Sequence, residues 1–220
     1  MSKQSHEVYL CKACEKFGEM VLWDSINSAE DPEAKEKVLS GELFQWKCPH
    51  CGEVTAVQYP CLYHDPDEKL MIYLLPEGDG KEQQALELGD DAAFLLSGYR
   101  FRSVADPNDL KEKLLIADAG LNDRAVEVCK ALIYLNYTQN PLNPPMSDIF
   151  FEEKKEGAVH FIFFREGGGA QAASLAQAVY GDIEGALAKA GLLQEEKKYE
   201  RIDLLWGANA ILKERVLEQR

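Results

Sequence analysis

Two cysteine knuckles, Cys11-Lys12-Ala13-Cys14 and Cys48-Pro49-His50-Cys51-Gly52, constrain this chain more than any other feature. Cysteines two residues apart in a tight turn direct both sulfurs to the same side. Two such turns complete a tetrahedron of four soft ligands, Cys11, Cys14, Cys48 and Cys51, which suits one Zn2+ per chain. A closed four-thiolate site keeps no open position for a substrate, so the knuckles say what this part of the chain binds and not what it accomplishes. Six cysteines in 220 residues are too few for a disulfide-dense scaffold. With four of them in knuckles, Cys61 and Cys129 stand alone, and metal explains the usage better than oxidation does.

The residues around the knuckles read as the means of bringing them together. Glu7 to Leu10 and Met20 to Trp23 form a hairpin carrying thiolates at its tip. The spacer, residues 15–47, is longer than the roughly 15 to 20 residues of compact ribbons, so something structured must fill it. Asp31-Pro32-Glu33 is a helix start, with Asp31 as N-cap, Pro32 at the first helical position and Glu33 facing the positive end of the dipole. The spacing predicts a helix from Pro32 to Leu39, stopped by Gly41. Leu43, Phe44 and Trp46 lead into the second knuckle, where Gly52 supplies a left-handed turn, and Val54 to Tyr59 leads away.

Beyond Pro60 the pattern changes to a mixed body. Cys61 to Asp65 is extended, and Leu70 to Leu75 is an apolar run bounded by prolines, which predicts a buried strand. Gly78-Asp79-Gly80 reads as a turn, followed by a short helix from Lys81 to Leu88. Tyr99 to Val104 alternates as a strand, and Asp106-Pro107-Asn108-Asp109 starts a helix with Leu110, Leu114 and Ala117 on one face, ended by Gly120. A second helix starts at Asn122 or Asp123 and carries a core stripe of Leu121, Ala125, Val128, Leu132 and Leu135. Pro141, Pro144 and Pro145 break the chain. Past them, Ile149 to Glu152 and Val159 to Phe164 pair across a charged turn. Leu175, Val179, Ile183 and Leu187 form a helical stripe behind Gly167-Gly168-Gly169, and Asp203 to Leu217 is a last helix with Leu204, Leu205, Ala208, Ile211 and Leu212 toward the core. The fold class is α+β: a zinc-ribbon-like module over residues 1–60 with an inserted helix, an α+β body over 61–140, and an α+β extension over 146–220.

Composition narrows the function classes. Hydrophobic residues make up 46% of the chain, enough for a real core. The net charge of −14, from 38 acidic against 24 basic residues, opposes a general phosphate-binding surface, and no basic cluster offsets it. No nucleic acid is expected as a partner, and an unidentified protein or small molecule takes that place. No apolar run reaches the roughly 18 residues that a membrane span needs, and Met1 to His6 lacks the apolar core of a signal peptide. The expected compartment is the cytoplasm.

The assembled motifs resemble the CpXC family, a set of bacterial and archaeal proteins named for Cys-Pro-x-Cys motifs. The resemblance rests on Cys11-x-x-Cys14, Asp31-Pro32-Glu33 with Gly41, Cys48-Pro49-His50-Cys51-Gly52, Tyr63-His64-Asp65, and Leu114 through Glu127 including Gly120-Leu121-Asn122-Asp123-Arg124. It spans roughly the first 140 residues. The first knuckle departs from the pattern by lacking the proline, which bears on its turn and not on its sulfurs. The resemblance implies a metal-binding cysteine domain in a protein of uncharacterised activity.

Each candidate site has a plainer counterpart. Zinc at the four thiolates competes with a single iron, as in a rubredoxin-like electron-transfer protein, and with a redox dithiol, which normally opens a helix and comes singly. His50 sits inside a knuckle and is expected to face solvent rather than add a ligand. Cys61, His64 and Asp65 suggest a second metal or a hydrolase site near His64 and Asp65, but residues three apart on a strand point to opposite faces. Cys129 is expected as a small core residue. Asp118, Asp123, Arg124 and Glu127 crowd two helix ends, where capping and ion pairing account for them better than a ligand site does. Gly167-Gly168-Gly169 adjoins Glu166, lacks a following Lys and reads as a flexible turn rather than a phosphate loop. No catalytic residue is assigned.

Overall fold

A computed structural model describes residues 2–76 and 98–218. The turn and short helix expected over 78–88 lie outside the described residues. The described chain is α+β, with ten strands and five helices. It forms two compact units: Met1–Lys111 with Glu196–Glu200, and Glu112–Glu195 with Arg201–Arg220.

The first unit is built on a five-stranded sheet of order β1-β2-β5-β6-β7, where β1 is Lys3–Leu10, β2 Phe17–Asn27, β5 Cys61–Asp65, β6 Leu70–Leu74 and β7 Arg100–Val104. The expected first hairpin is longer than the sequence suggests, because β2 serves twice. Its register runs antiparallel to β1 from Leu10↔Phe17, while Ser25, Ile26 and Asn27 pair in parallel with Leu62, Tyr63 and His64. A parallel pair needs a crossover, and that crossover carries the second knuckle. It contains α1 (Pro32–Ser40), a 3-10 turn at Glu42–Phe44, and the short hairpin β3 (Gln45–Lys47) with β4 (Val54–Ala56). The chain of 196–200 joins the same unit along β7: the Ser103 N–H donates to the Glu200 carbonyl at 3.0 Å and the Glu200 N–H to the Phe101 carbonyl at 3.2 Å.

Helix α1 begins at Pro32 and ends at Gly41, whose left-handed backbone at φ 78° turns its N–H to the Val38 carbonyl, as the sequence predicts. Asp31 differs from expectation. It precedes the helix but its carboxylate makes no capping bond, so proline at the first position starts the helix by geometry alone. Ala34 and Val38 are the buried positions of α1, which lies against β2. The inner positions of β5 and β6 alternate as a half-buried sheet requires, with Cys61, Tyr63, Leu70, Ile72 and Leu74 closed to solvent.

Helix α2 (Pro107–Asp118) begins where Asp106 Oδ1 accepts the Asn108 N–H at 2.8 Å, and Leu110, Leu114 and Ala117 are buried as predicted. The two units divide within it, at Lys111 and Glu112, and the Pro141 to Pro145 segment falls inside the second unit.

The second unit packs α3 (Asp123–Thr138), α4 (Gln177–Lys189) and α5 (Leu204–Glu218) with an antiparallel sheet of order β10-β9-β8, where β8 is Met146–Lys155, β9 Ala158–Arg165 and β10 Ala170–Ala176. The β8–β9 pair closes through Glu156 and Gly157, both at positive φ, as a two-residue hairpin turn demands. Val126, Cys129, Phe151, Val159, Phe161 and Leu187 are at its centre. Three expectations are corrected here. Leu132 and Leu135 are exposed, since α3 is buried all round over Asp123–Ala131 and then emerges from the core. Leu175 belongs to strand β10, so Gly167-Gly168-Gly169 turns between two strands rather than from strand to helix. Leu205 and Leu212 are exposed on α5, which instead presents Gly207 to the Glu127 carbonyl, so closely that any Cβ there would collide.

The buried half of α3 includes charges, and they are paired. Lys113 Nζ lies 2.8 Å from Glu127 Oε1 and 3.4 Å from Asp123 Oδ2, and Lys130 Nζ lies 2.8 Å from Glu112 Oε2 and 3.0 Å from Glu127 Oε2. Burial alone would pull the Lys130 ammonium down, but Glu127 and Glu112 reverse this and hold it above the usual lysine range. Arg124 stacks over Trp206 at 5.2 Å from the ring centroid and approaches Glu195 at 3.5 Å. Asn122 caps the helix by accepting the Arg124 N–H at 2.9 Å, and Asp118 is exposed. Capping and ion pairing therefore account for this polar cluster.

Candidate metal centre

The two knuckles are built to one plan. In the first, the Cys11 N–H donates to the Lys16 carbonyl at 3.0 Å and the Glu15 N–H to the Cys11 carbonyl at 2.9 Å. In the second, the Cys48 N–H donates to the Glu53 carbonyl at 2.8 Å and the Gly52 N–H to the Cys48 carbonyl at 3.0 Å. Both turns place the fourth residue after the leading cysteine in the left-handed region, Glu15 at φ 56° and Gly52 at φ 79°. Gly52 was legible from its type. Glu15 was missed, and aligning the two knuckles on Cys11 and Cys48 is the signal that finds it.

β1–β2 and β3–β4 clamp the knuckles against each other. Trp46 donates its indole N–H to the Glu19 carbonyl at 3.0 Å and its ring lies 4.9 Å from that of Tyr9. His50 is exposed, as expected, yet its side chain is engaged: Nε2 lies 3.0 Å from the Phe17 carbonyl oxygen, so that nitrogen carries the proton. Gly18 sits beneath this contact, where an added Cβ would meet Trp46 Cζ2 at 2.7 Å and Pro49 Cδ at 2.8 Å. The constraint is steric and comes from residues 28 and 31 positions away, which no local pattern discloses.

This clamp gathers four sulfurs. The Sγ atoms of Cys11, Cys14, Cys48 and Cys51 all lie within 4.8 Å of one another, with Cys11 and Cys51 at 3.6 Å and Cys14 and Cys48 at 3.7 Å. A tetrahedron of thiolates around zinc, with Zn–S near about 2.3 Å, has edges of about 3.8 Å. The donor set fits a single ion of that size. The sulfurs are too far apart for disulfides, whose bond is about 2.0 Å, and all six cysteines are free. Cys11 and Cys48 are buried beside Trp46, Cys14 is half-buried and Cys51 is exposed. Burial raises the Cys48 thiol, but the backbone N–H groups of Cys51 and His50 point at its sulfur and bring it down to about 6. Neither knuckle opens a helix, so the arrangement does not match a redox Cys-x-x-Cys.

The other candidates do not converge. On β5, Asp65 points into the core, where its carboxylate accepts from the Tyr63 hydroxyl at 3.3 Å, the Lys35 ammonium at 3.4 Å and the Glu68 N–H at 3.2 Å. His64 points the other way and pairs with the Tyr99 hydroxyl at 3.1 Å. Cys61 is fully buried, and burial pushes its thiol up to about 12. Cys129 is likewise a core residue with its thiol raised to about 12 by burial. Among the described residues the four knuckle cysteines are the one group of metal-ligating side chains close enough to share an ion. No helix among the described residues is long and apolar enough to cross a membrane.

Comparison with known proteins agrees with the motif resemblance. The model of one family, described as CpXC protein, matches residues 10–130, which takes in both knuckles, strands β2, β5, β6 and β7 of the five-stranded sheet, and the buried start of α3. No curated protein and no solved structure matches the chain.

Proposed function

Because this chain belongs to the CpXC family, whose model spans more than half of it, we propose that its four knuckle cysteines hold one structural zinc ion and that the protein works as a binding module. The observation that carries this is the sulfur cluster, four Sγ atoms within 4.8 Å with edges of 3.6 and 3.7 Å. Zinc supplies here a closed tetrahedral cross-link between two hairpins, β1–β2 and β3–β4, and β3–β4 is too small to be stable alone. All four positions are filled by protein, so the ion organises a surface rather than activating a water. The partner is a protein or small molecule: a net charge of −14 repels phosphates, and Lys12, Lys16 and Lys47 near the knuckles are too few for the roughly six to ten contacts of a strong nucleic-acid binder. Six free cysteines suit a reducing compartment such as the cytoplasm.

Elemental analysis of the purified protein tests the metal, with one zinc per chain expected. Stoichiometric iron with visible absorption, or folded protein without metal, overturns it. Oligonucleotide binding at low and moderate salt tests the partner class, and sub-micromolar affinity with a steep salt dependence overturns that part.

A further inference from the structure

We propose that Cys51 is the thiolate at which the four-cysteine centre reacts with peroxides and that Cys11 closes a disulfide with it, releasing the metal; this rests on the zinc assignment above. Burial is uneven across the four ligands. Cys11 and Cys48 are 0% and 2% exposed, Cys14 is half-covered, and Cys51 is open to solvent together with Pro49, His50, Gly52 and Glu53 around it. A zinc-bound sulfur keeps a lone pair, and zinc itself exchanges no electrons, so oxidation of such a centre falls on whichever sulfur an oxidant can reach. That sulfur is Cys51. Its Sγ lies 3.6 Å from Cys11 Sγ, on the other knuckle, whereas Cys14 is paired at 3.7 Å with Cys48. The two free cysteines outside the cluster, Cys61 and Cys129, are both 0% exposed and do not compete.

The steps balance with hydrogen peroxide as the oxidant. A lone pair of Cys51 Sγ attacks one peroxide oxygen, the O–O bond breaks, and the departing hydroxide takes a proton and leaves as water. The resulting sulfenic acid is a poor ligand. Cys11 thiolate then attacks Cys51 sulfur, the S–S bond forms, the S–O bond breaks, and a second hydroxide leaves as water. Two thiolates have lost two electrons, peroxide has gained them, and two of four ligands are gone. The cross-link joins the two hairpins that the metal held, so the fold changes its clasp rather than losing it.

The test uses the full chain with zinc content established first by elemental analysis. It is treated with stoichiometric hydrogen peroxide while zinc release is followed with a chromogenic chelator, and disulfides are mapped by peptide mass spectrometry after the remaining thiols are alkylated. Release in step with a Cys11–Cys51 cross-link is expected. Dimedone, which captures sulfenic acid, should label Cys51 ahead of every other cysteine when peroxide is added below one equivalent. Protein that carries no zinc overturns the metal assignment beneath. Protein with one zinc per chain in which dimedone first labels a cysteine other than Cys51, or in which the disulfide formed on zinc release is not Cys11–Cys51, overturns this proposal.

Discussion

Glu15 and Gly52 occupy the same place in two copies of one turn, each four residues after a leading cysteine, each at positive φ and each donating its N–H to that cysteine's carbonyl. The turn wants glycine at this position, since an L side chain in the left-handed region costs roughly 1–2 kcal/mol. The first knuckle carries that cost and the second does not. Glu15→Gly is therefore expected to stabilise the first unit by about 0.5–1 kcal/mol after the loss from a more flexible unfolded chain, and Gly52→Ala to destabilise it by about 1 kcal/mol. Thermal unfolding of the metal-loaded variants measures both, and two shifts of the same sign would refute the equivalence.

Gly18 has a different reason to be glycine. Its backbone is ordinary strand, but Trp46 and Pro49 fill the space of a Cβ at 2.7 and 2.8 Å. Gly18→Ala should force the second knuckle away from β2, at a cost of about 1–3 kcal/mol, and weaken metal affinity without touching a sulfur. Competition with a chelator of known affinity reads the effect. An unchanged affinity would show that the contact does not position the cysteines.

On the proposed zinc site, Cys48→Ser should lose the metal and loosen β1, β2 and β3–β4, because the binding free energy of such a metal is folding free energy. The second unit has its own apolar centre around Val126, Phe151 and Phe161, so most of the helical circular dichroism of α3, α4 and α5 is expected to remain. Hydrogen exchange resolved by segment separates the two responses. Loss of protection throughout both units would show that they unfold as one.

Acid should weaken the first unit through Asp65. Burial would raise its carboxyl, but the Glu68 N–H and Lys35 outweigh burial and hold it below the usual aspartate range. A folded value below the unfolded one means that this contribution is fully present above about pH 4 and is lost as pH falls through the depressed value. Lys35→Met should move the Asp65 titration upward and shrink that acid-side loss. Carbon-13 detected titration of Asp65 decides it, and no change in the variant would remove Lys35 from the account.

The chemistry of the site and several local elements are determined by sequence alone. The spacing of Cys11, Cys14, Cys48 and Cys51 marks out the four thiols that the fold brings within 4.8 Å of one another, Pro32 and Gly41 bound α1, and Gly157 lies in the turn that joins β8 to β9. These features act over four to ten residues, the range within which backbone sterics and side-chain direction are felt. Tertiary structure decided what spacing cannot carry. The parallel pairing of Ser25 to Asn27 with Leu62 to His64 depends on a crossover, and the segment hydrogen-bonded beside β7 comes from residues 196–200. Charges at Glu112, Lys113, Glu127 and Lys130 look like a solvated helix face until packing closes around them and leaves pairing as the stable outcome. Leu132 and Leu135 continue a flawless stripe on a helix that has already left its core. Glu15 adopts a glycine's conformation in a turn closed by its own N–H on the Cys11 carbonyl and by the Cys11 N–H on the Lys16 carbonyl, which hydrophobic periodicity does not register and only the likeness of the two knuckles discloses.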